Sequence, residues 1–226
     1  MTFSILGRCT ATGMVGAAIA SSSIAVAARC PWVRAGVGAV TTQNITDPRL
    51  GARGLDLLAA GLGAADAMRR LVAAAPHVEY RQVAMIDARG GTAQHSGSGV
   101  LGTHAAAAGA DCVAAGNILN NAGVPAAMVR TFVADAGVHL AERLLRALEE
   151  GLVAGGEAGP VKSAGLLVAH EQEWPLVNLR VDWDDDDNPL LALRRLWERF
   201  EPEMQAYVTR ALDPAAAPAF GVPGDP

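Results

Sequence analysis

The chain has little basic charge and no long apolar run. Lys162 is the sole lysine among 226 residues, and 18 Lys and Arg residues against 23 Asp and Glu residues give a formal net charge of −5. A protein that binds nucleic acid needs a basic face for the phosphates, so this composition argues against a nucleic-acid partner. No stretch reaches the ~18 consecutive apolar residues of a membrane span, and we expect no membrane partner either.

Cysteines are also few. Cys9, Cys30 and Cys112 are isolated, with no Cys-x-x-Cys pair and no Cys/His ligand spacing. An odd number of cysteines without such spacing is typical of a reduced, cytoplasmic protein, in which they serve as small buried thiols. The segment Met14–Ala28 has some features of a signal peptide, but the single basic Arg8 before it and its three serines favour the cytoplasmic location.

Aromatic residues are also few. They make up 4% of the chain, whereas 51% of the residues are hydrophobic and much of that fraction is alanine. We therefore expect an interior of thin, closely packed layers. The length fits one domain, which we place at residues 1–212. The remaining residues 213–226 are rich in Pro, Ala and Gly, a composition that predicts a flexible tail.

Short stretches of small and β-branched residues, separated by turn signals, predict strands. These stretches are Thr2–Leu6, Val15–Ala20, Gly36–Thr42, Val83–Asp87, Thr92–Ser96, Cys112–Ala115, Ser163–Ala169 and Leu176–Val181. The fourth and fifth flank a Gly-Gly turn, which is typical of a β-hairpin.

Apolar residues at helical spacing predict the helices. Two short helices follow Pro48, one long helix runs from Pro125 to Gly151, and a last helix after Pro189 carries Tyr207. Strands and helices thus occur in segregated runs, which favours the α+β class over alternating βαβ units. Two sheets packed face to face, with helices outside, would accommodate this order.

The second residue is the main chemical candidate. Thr2 is small enough for Met1 to be cleaved, and removal of Met1 would leave a free α-amine beside the Thr2 hydroxyl. An amine and a hydroxyl on one residue provide a nucleophile and its own general base. A nucleophile at the start of the first strand of a hairpin is typical of N-terminal-nucleophile hydrolases, although many unrelated proteins also begin Met-Thr.

Asn117 is the candidate oxyanion donor, because a neutral amide can stabilise negative charge without titrating. The alternative is a turn asparagine in a left-handed conformation. Ser96 and Ser98 lie between glycines and could contact a substrate, or those glycines could simply mark close strand packing. His95 has a near-neutral pKa suited to proton transfer, and its alternative is a structural role.

Further polar residues could line the same pocket. Ser21 and Ser22 follow the second predicted strand, and Gln43 ends the third. Asp182 forms either a substrate anchor or a structural ion pair with Arg180. We expect no metal: the run Asp184–Asp187 lacks the spaced ligands and glycine of a calcium loop and is better explained as the start of a helix, which Asp187 or Asn188 can cap.

Several motifs resemble domain-of-unknown-function family 1028. They are Thr2-Phe3-Ser4-Ile5, the segment 34–43 (RAGVGAVTTQ), His95-Ser96-Gly97-Ser98-Gly99, Gly116-Asn117-Ile118-Leu119 and Asn178-Leu179-Arg180-Val181-Asp182. The resemblance covers residues 2 to about 200. It implies a four-layer αββα sandwich of the N-terminal-nucleophile (Ntn) hydrolase type, and such sandwiches often pair through their outer helices, so we expect a homo-oligomer.

The chain departs from the family in two segments. Members often carry Gln-Ser-Ala-Ala where this chain has Lys162-Ser163-Ala164-Gly165, and a histidine where it has Trp183 and the aspartates. A looser similarity to proteasome β-subunits gives no counterpart for their catalytic lysine, since Lys162 lies too late in the chain.

Three functions are consistent with these residues. The first is an Ntn-type hydrolase that cleaves an amide bond of a small polar molecule without a cofactor. The second is a non-catalytic protein that binds a small ligand on the same scaffold, and the third is an oligomeric structural module. The state of the N-terminus distinguishes the first two, because the hydrolase requires the free Thr2 amine.

Overall fold

A computed structural model describes residues 1–186 and 188–222 as two antiparallel β-sheets with six α-helices. The strands are β1 Thr2–Arg8, β2 Val15–Ser21, β3 Pro31–Arg34, β4 Gly38–Asn44, β5 Arg81–Asp87, β6 Thr92–Ser96, β7 Ala105–Gly109, β8 Cys112–Asn117, β9 Ser163–Ala169 and β10 Val177–Val181. The helices are α1 Arg49–Ala59, α2 Ala64–Ala74, α3 Val124–Ala134, α4 Leu140–Val153, α5 Pro189–Phe200 and α6 Met204–Leu212.

The first strand lies in the interior of the larger sheet. That sheet has the order β10-β9-β2-β1-β8-β7, and the smaller one has the order β3-β4-β5-β6. Successive side chains of a strand point to opposite faces. Phe3 and Ile5 accordingly join the cluster beneath the helices, whereas Leu6 joins the cluster between the sheets and Ser4 contacts the smaller sheet. Both faces of β1 are therefore buried.

Three hydrophobic clusters explain the layering. Helices α3, α4 and α5 pack on the larger sheet around Phe132, Leu144 and Leu193, and helices α1 and α2 pack on the smaller sheet around Leu55 and Met68. The cluster between the sheets is aliphatic, and four of its seven residues are alanine: Leu6, Ala17, Ala39, Ala84, Ile86, Val113 and Ala115. The predicted α+β class is confirmed, with the alanines forming the thin interior that the composition indicates.

The predicted long helix from Pro125 to Gly151 is wrong, because the chain forms α3 and α4 with a break between them. A continuous helix would be roughly 40 Å long at 1.5 Å per residue, whereas a seven-residue strand such as β1 spans about 23 Å. Two antiparallel helices cover the sheet, and one helix would overshoot it. Gly137 lies in the break, and the His139 side chain caps α4 by accepting a hydrogen bond from the Ala141 N–H.

The last predicted helix is also divided. Glu201, Pro202 and Glu203 form a 3-10 turn between α5 and α6, and proline lacks the N–H that a continuous helix needs at that point. Two of the strands, β3 and β7, were not predicted from the sequence. Strand β7 consists of alanine and glycine, residues depleted in strands, and only its pairing with β8 makes it one.

The three cysteines are buried and free, as predicted. Burial raises the pKa of Cys30 and raises that of Cys112 to about 11, so both stay protonated thiols. No helix in residues 1–186 and 188–222 is long and apolar enough to cross a membrane. In the predicted tail, Pro214–Ala216 forms a 3-10 turn, and residues 223–226 lie outside the described part.

Adjacent residues of α3 test the packing of the helices on the larger sheet. Phe132 is 0% exposed in the main cluster, whereas Val133 is 41% exposed. We predict that Phe132→Ala lowers the free energy of unfolding by about 3–5 kcal/mol, because it removes buried area and leaves a cavity. Val133→Ala should stay within ~0.5 kcal/mol of the parent. Guanidinium titrations measure both, and similar losses in the two variants would contradict the assigned face of α3.

Candidate functional site

A row of polar side chains crosses one end of the larger sheet. Thr2 and Asn117 are register partners on β1 and β8, and Ser21 and Ser163 are register partners on β2 and β9. The Thr2 and Ser21 hydroxyls are 3.2 Å apart. These four residues, which we call the Thr2 row, belong to four neighbouring strands. The antiparallel order thus brings together residues that are far apart in the sequence.

Met1, the residue before Thr2, forms hydrogen bonds with two residues of the row. The Met1 carbonyl oxygen accepts hydrogen bonds from the hydroxyls of both Thr2 and Ser21, and Thr2 is only 5% exposed. The Met1 side chain lies against Gly159, where an added Cβ would be 3.0 Å from the Met1 Cε. Met1 therefore engages the hydroxyls of Thr2 and Ser21 directly, and its side chain lies beside Gly159.

A second set of polar side chains joins the two sheets behind the row. The Ser4 hydroxyl donates to Gln43 Oε1 at 2.8 Å, and Gln43 Nε2 donates to Gln82 Oε1 at 2.7 Å. Gln82 Nε2 donates in turn to Ser96 Oγ at 3.1 Å and to the Gly116 carbonyl at 3.0 Å. We call this set, with Asn117, the glutamine network.

Asn117 belongs to both sets. Its Nδ2 donates to Gln82 Oε1 at 3.1 Å, whereas its Oδ1 is buried with no hydrogen-bond partner in the described part of the chain. An amide nitrogen carries two N–H groups, so one N–H of Asn117 is not used by the contact with Gln82. The left-handed residue is the next one, Ile118, at φ 49°. Positive φ is a genuine outlier for a β-branched residue, and such strain clusters at functional sites.

A buried glutamate near Met1, Glu157, is one of two residues in this region that the sequence did not indicate. Glu157 is 3% exposed, and neither of its carboxylate oxygens has a hydrogen-bond partner within the described residues. Burial raises the pKa of Glu157 to about 7, opposed in part by the N-terminal amine and by Ser22. Backbone contacts fix its loop: Glu157 bridges Leu119, and its carbonyl accepts from Asn120 Nδ2.

Four predicted ligand residues lie in this region. Ser21 is in the Thr2 row, Ser22 lies beside Glu157, and Gln43 and Ser96 belong to the glutamine network. No sequence signal pointed to Gln82, which is the centre of that network. An isolated glutamine in a strand has no motif, and only its cross-sheet contacts reveal it.

The structure separates His95 from these residues. His95 pairs with Val83, and register partners share a face of the sheet. Val83 packs beneath α1 and α2, and His95 Nε2 contacts the Val78 carbonyl. Ser96 pairs with Gln82 on the opposite face, which faces the larger sheet.

Ser98 and Asp182 also lie apart. Ser98 is exposed in a turn whose glycines pack closely, since an added Cβ on Gly97 would be 2.3 Å from the Glu79 carbonyl oxygen. Asp182 forms an exposed ion pair with Arg180 at 2.8 Å. We leave His95, Ser98 and Asp182 out of the proposed site.

The acidic run forms a helix start. Asn188 caps α5 by accepting from the Leu191 N–H, as predicted, and Asp184 accepts from the Asp186 N–H. The other predicted cap, Asp187, lies outside the described residues. Within residues 1–186 and 188–222, no group of three or more His, Cys, Asp or Glu side chains could hold a metal ion.

Comparison with known proteins places this arrangement in a family. Residues 2–193 match the family described as "Family of unknown function (DUF1028)". The chain belongs to this family. Protein SPO2555 from Silicibacter pomeroyi, of the same family, is 30% identical, with a TM-score of 0.84 over 91% of this chain and 89% of that one.

A second structure is far less similar. Anbu (ancestral beta-subunit) from Yersinia bercovieri is 9% identical, with a TM-score of 0.37 over 90% of this chain and 96% of that one. That likeness is too distant to support an argument about fold or function. No curated protein matches the chain.

The glutamine network predicts a large cost for losing its centre. Gln82→Met keeps the approximate side-chain length but leaves the buried amides of Gln43 and Asn117 without their acceptor. At about 1–3 kcal/mol for each buried group left unpaired, we expect a loss of about 2–6 kcal/mol in unfolding free energy. Gln94→Met, at an exposed position of β6, is the control and should be nearly neutral. A near-neutral Gln82→Met would show that the network contributes little.

The raised pKa of Glu157 predicts an unusual pH dependence of the free energy of unfolding. Its pKa is about 7 in the folded protein against an ordinary 4.5, so the folded state disfavours the ionised form. This group therefore costs stability as the pH rises from about 4.5 to 7, by roughly 3 kcal/mol in total. We expect Glu157→Gln to gain stability relative to the parent over that range.

Chemical denaturation of both proteins at pH 5 and pH 8 measures the difference. Glu173→Gln, which removes an exposed carboxyl, is the matched control. A difference between parent and Glu157→Gln that stayed constant with pH would contradict the raised pKa of Glu157.

Proposed function

We propose that this protein is an N-terminal-nucleophile hydrolase that cleaves an amide bond of a small polar molecule, with Thr2 as the nucleophile. The observation that carries the proposal is the Thr2 row, in which the first residue of an interior strand lies between Ser21 and Asn117. A hydroxyl nucleophile, a hydrogen-bonding neighbour and an amide donor are the groups that acyl transfer requires.

The proposed fold type is the four-layer αββα sandwich. The cluster of small side chains between the sheets and the two clusters beneath the helices support this assignment. We also propose a homo-oligomer that pairs through the outer helices. The exposed Leu191 and Leu196 of α5 are consistent with such pairing, and sedimentation velocity would measure it.

Removal of Met1 is the first requirement of the mechanism. While Met1 is attached, the Thr2 nitrogen is part of a peptide bond and cannot accept a proton. Removal converts it to an α-amine, and it frees the hydroxyls of Thr2 and Ser21 from the Met1 carbonyl. The same step exposes Thr2 to substrate.

The chemistry then uses the chain's own groups and needs no cofactor. Thr2 Oγ1 attacks the substrate carbonyl carbon while the α-amine takes the hydroxyl proton, and Ser21 orients that hydroxyl from 3.2 Å. The C–N bond breaks as the proton passes to the leaving amine, which leaves an ester on Thr2. Water, deprotonated by the same α-amine, hydrolyses the ester and restores Thr2.

Asn117 supplies the oxyanion donor in this scheme. Gln82 Oε1 holds its amide in place from 3.1 Å, so the remaining N–H is oriented before the substrate arrives. A donor fixed in advance costs no reorganisation when negative charge develops. The main-chain N–H groups that follow β8 do not add to it, because those of Ile118, Leu119 and Asn120 already donate to main-chain carbonyls.

Covalent labelling tests the nucleophile. The purified protein should have the mass of a chain that begins at Thr2, and an acylating β-lactone probe should modify that residue. We expect Thr2→Ala to fold normally and to lose labelling, because alanine has no hydroxyl. Thr2→Ser should retain labelling. Asn117→Ala should slow labelling by ~10²–10³, the usual effect of removing one oxyanion donor.

Two results would contradict the hydrolase. One is hydrolytic activity that Thr2→Ala leaves unchanged. The other is a native, soluble protein that retains Met1, which would favour the small-ligand-binding function, since the Met1 carbonyl would then hold the hydroxyls of Thr2 and Ser21 permanently.

A further inference from the structure

Met1 occupies a defined place beside the Thr2 row. Its side chain lies against Gly159, and its α-amine is close enough to Glu157 to lower the pKa of that carboxyl. Ser22, next to Ser21, is the other group that lowers the pKa of Glu157. We call the space that Met1 fills, beside Glu157 and Gly159, the Met1 seat.

The carboxylate at this seat lacks partners of its own. Glu157 Oε1 and Oε2 are both buried and have no hydrogen bond of good geometry among the described residues. Ser22 is near enough to lower the pKa of the carboxyl in part, but it carries no charge to balance the carboxylate. The α-amine of Met1 is the positive group that acts on the carboxyl. When Met1 is removed, that charge leaves with it. The α-amine of Thr2 becomes the new N-terminus, but it is neutral in the form that acts as the base, so it supplies no counter-charge to Glu157 in that form.

A buried carboxylate without a counter-charge is costly, and a cation that pairs with it recovers that cost. Two carboxylate oxygens can accept a bidentate guanidinium or several N–H groups of an ammonium. The seat fits an unbranched chain with a cation at one end, because the Met1 α-amine acts on Glu157 and the methionine side chain ends against Gly159, which leaves room for it. An anionic group in the same place would be repelled by Glu157.

We propose that, once Met1 is gone, Glu157 and the Met1 seat form a substrate subsite for a short unbranched chain that ends in an ammonium or guanidinium group. The proposal rests on the proposed function, because it requires the mature protein to begin at Thr2. Met1 directly precedes Thr2, so a group in the seat adjoins the nucleophile. The substrate class is thereby narrowed to cationic amides.

Binding of simple probes tests the subsite without catalysis. The Thr2→Ala chain, shown by intact mass to begin at residue 2, is titrated by calorimetry with n-butylguanidinium, 1-butanol and butyrate. We expect n-butylguanidinium to bind at least ~10-fold more tightly than 1-butanol, a ratio equivalent to one charge-assisted contact, and butyrate not to bind.

Two variants in the same chain locate the binding. Glu157→Gln should abolish the preference for the cation, whereas the exposed Glu173→Gln should preserve it. Gly159→Ala places a methyl group where an added Cβ would be 3.0 Å from the Met1 Cε. It should weaken n-butylguanidinium more than methylguanidinium, because only the longer chain reaches that wall.

The possible outcomes distinguish a failure of the proposed subsite from a failure of the proposed hydrolase function. Equal binding of n-butylguanidinium and 1-butanol, or a cation preference that survives Glu157→Gln, overturns the subsite even if Thr2 is labelled. If Glu157→Gln slows labelling of Thr2 but leaves cation binding intact, Glu157 serves the Thr2 amine and the inference is wrong. Selective cation binding by a protein whose Thr2 cannot be labelled supports the subsite and contradicts the hydrolase function. Retention of Met1 in the native protein contradicts both proposals.

Discussion

The site depends on the hydrogen bonds that the buried amide of Gln82 forms. It accepts from Gln43 on its own sheet and from Asn117 on the other, and it donates to Ser96 and to the Gly116 carbonyl. Both ends of one side chain are thereby saturated across the space between two sheets. Because an unpaired polar group in this interior is costly, the two sheets are held in an alignment that fixes the amide of Asn117, the register partner of Thr2.

That bridge is possible because the layer between the sheets is thin. Ala17, Ala39, Ala84 and Ala115 contribute short side chains there, so the backbones approach closely enough for single glutamine and asparagine side chains to span the gap. Bulkier residues would separate the sheets and break the network. The alanine-rich composition and the polar site are thus two aspects of one constraint, since interiors pack at nearly crystalline density.

Three features that oppose stability lie together at the same end of the larger sheet. Ile118 has a left-handed backbone, Glu157 is a buried acid without partners in the described chain, and Asn117 Oδ1 is unpaired there. Elsewhere, the half-buried Arg194 is paired with both Glu142 and Glu149. Proteins tolerate such local costs where a ligand or a reaction uses them, which supports the assignment of function to this end.

The sequence by itself determined the α+β class, most of the strands and the nomination of Thr2, Ser21, Gln43, Ser96 and Asn117, because strand patterns and motifs are local properties. Only the tertiary structure decided which of two adjacent residues faced the site, Ser96 rather than His95, since that depends on which face of β6 meets the other sheet. It also revealed Gln82 and Glu157, whose importance lies in burial and cross-sheet contacts, and it divided the long helix at 135–139 because the sheet beneath is too short for one. These are properties of distant segments in contact, and no local pattern records them.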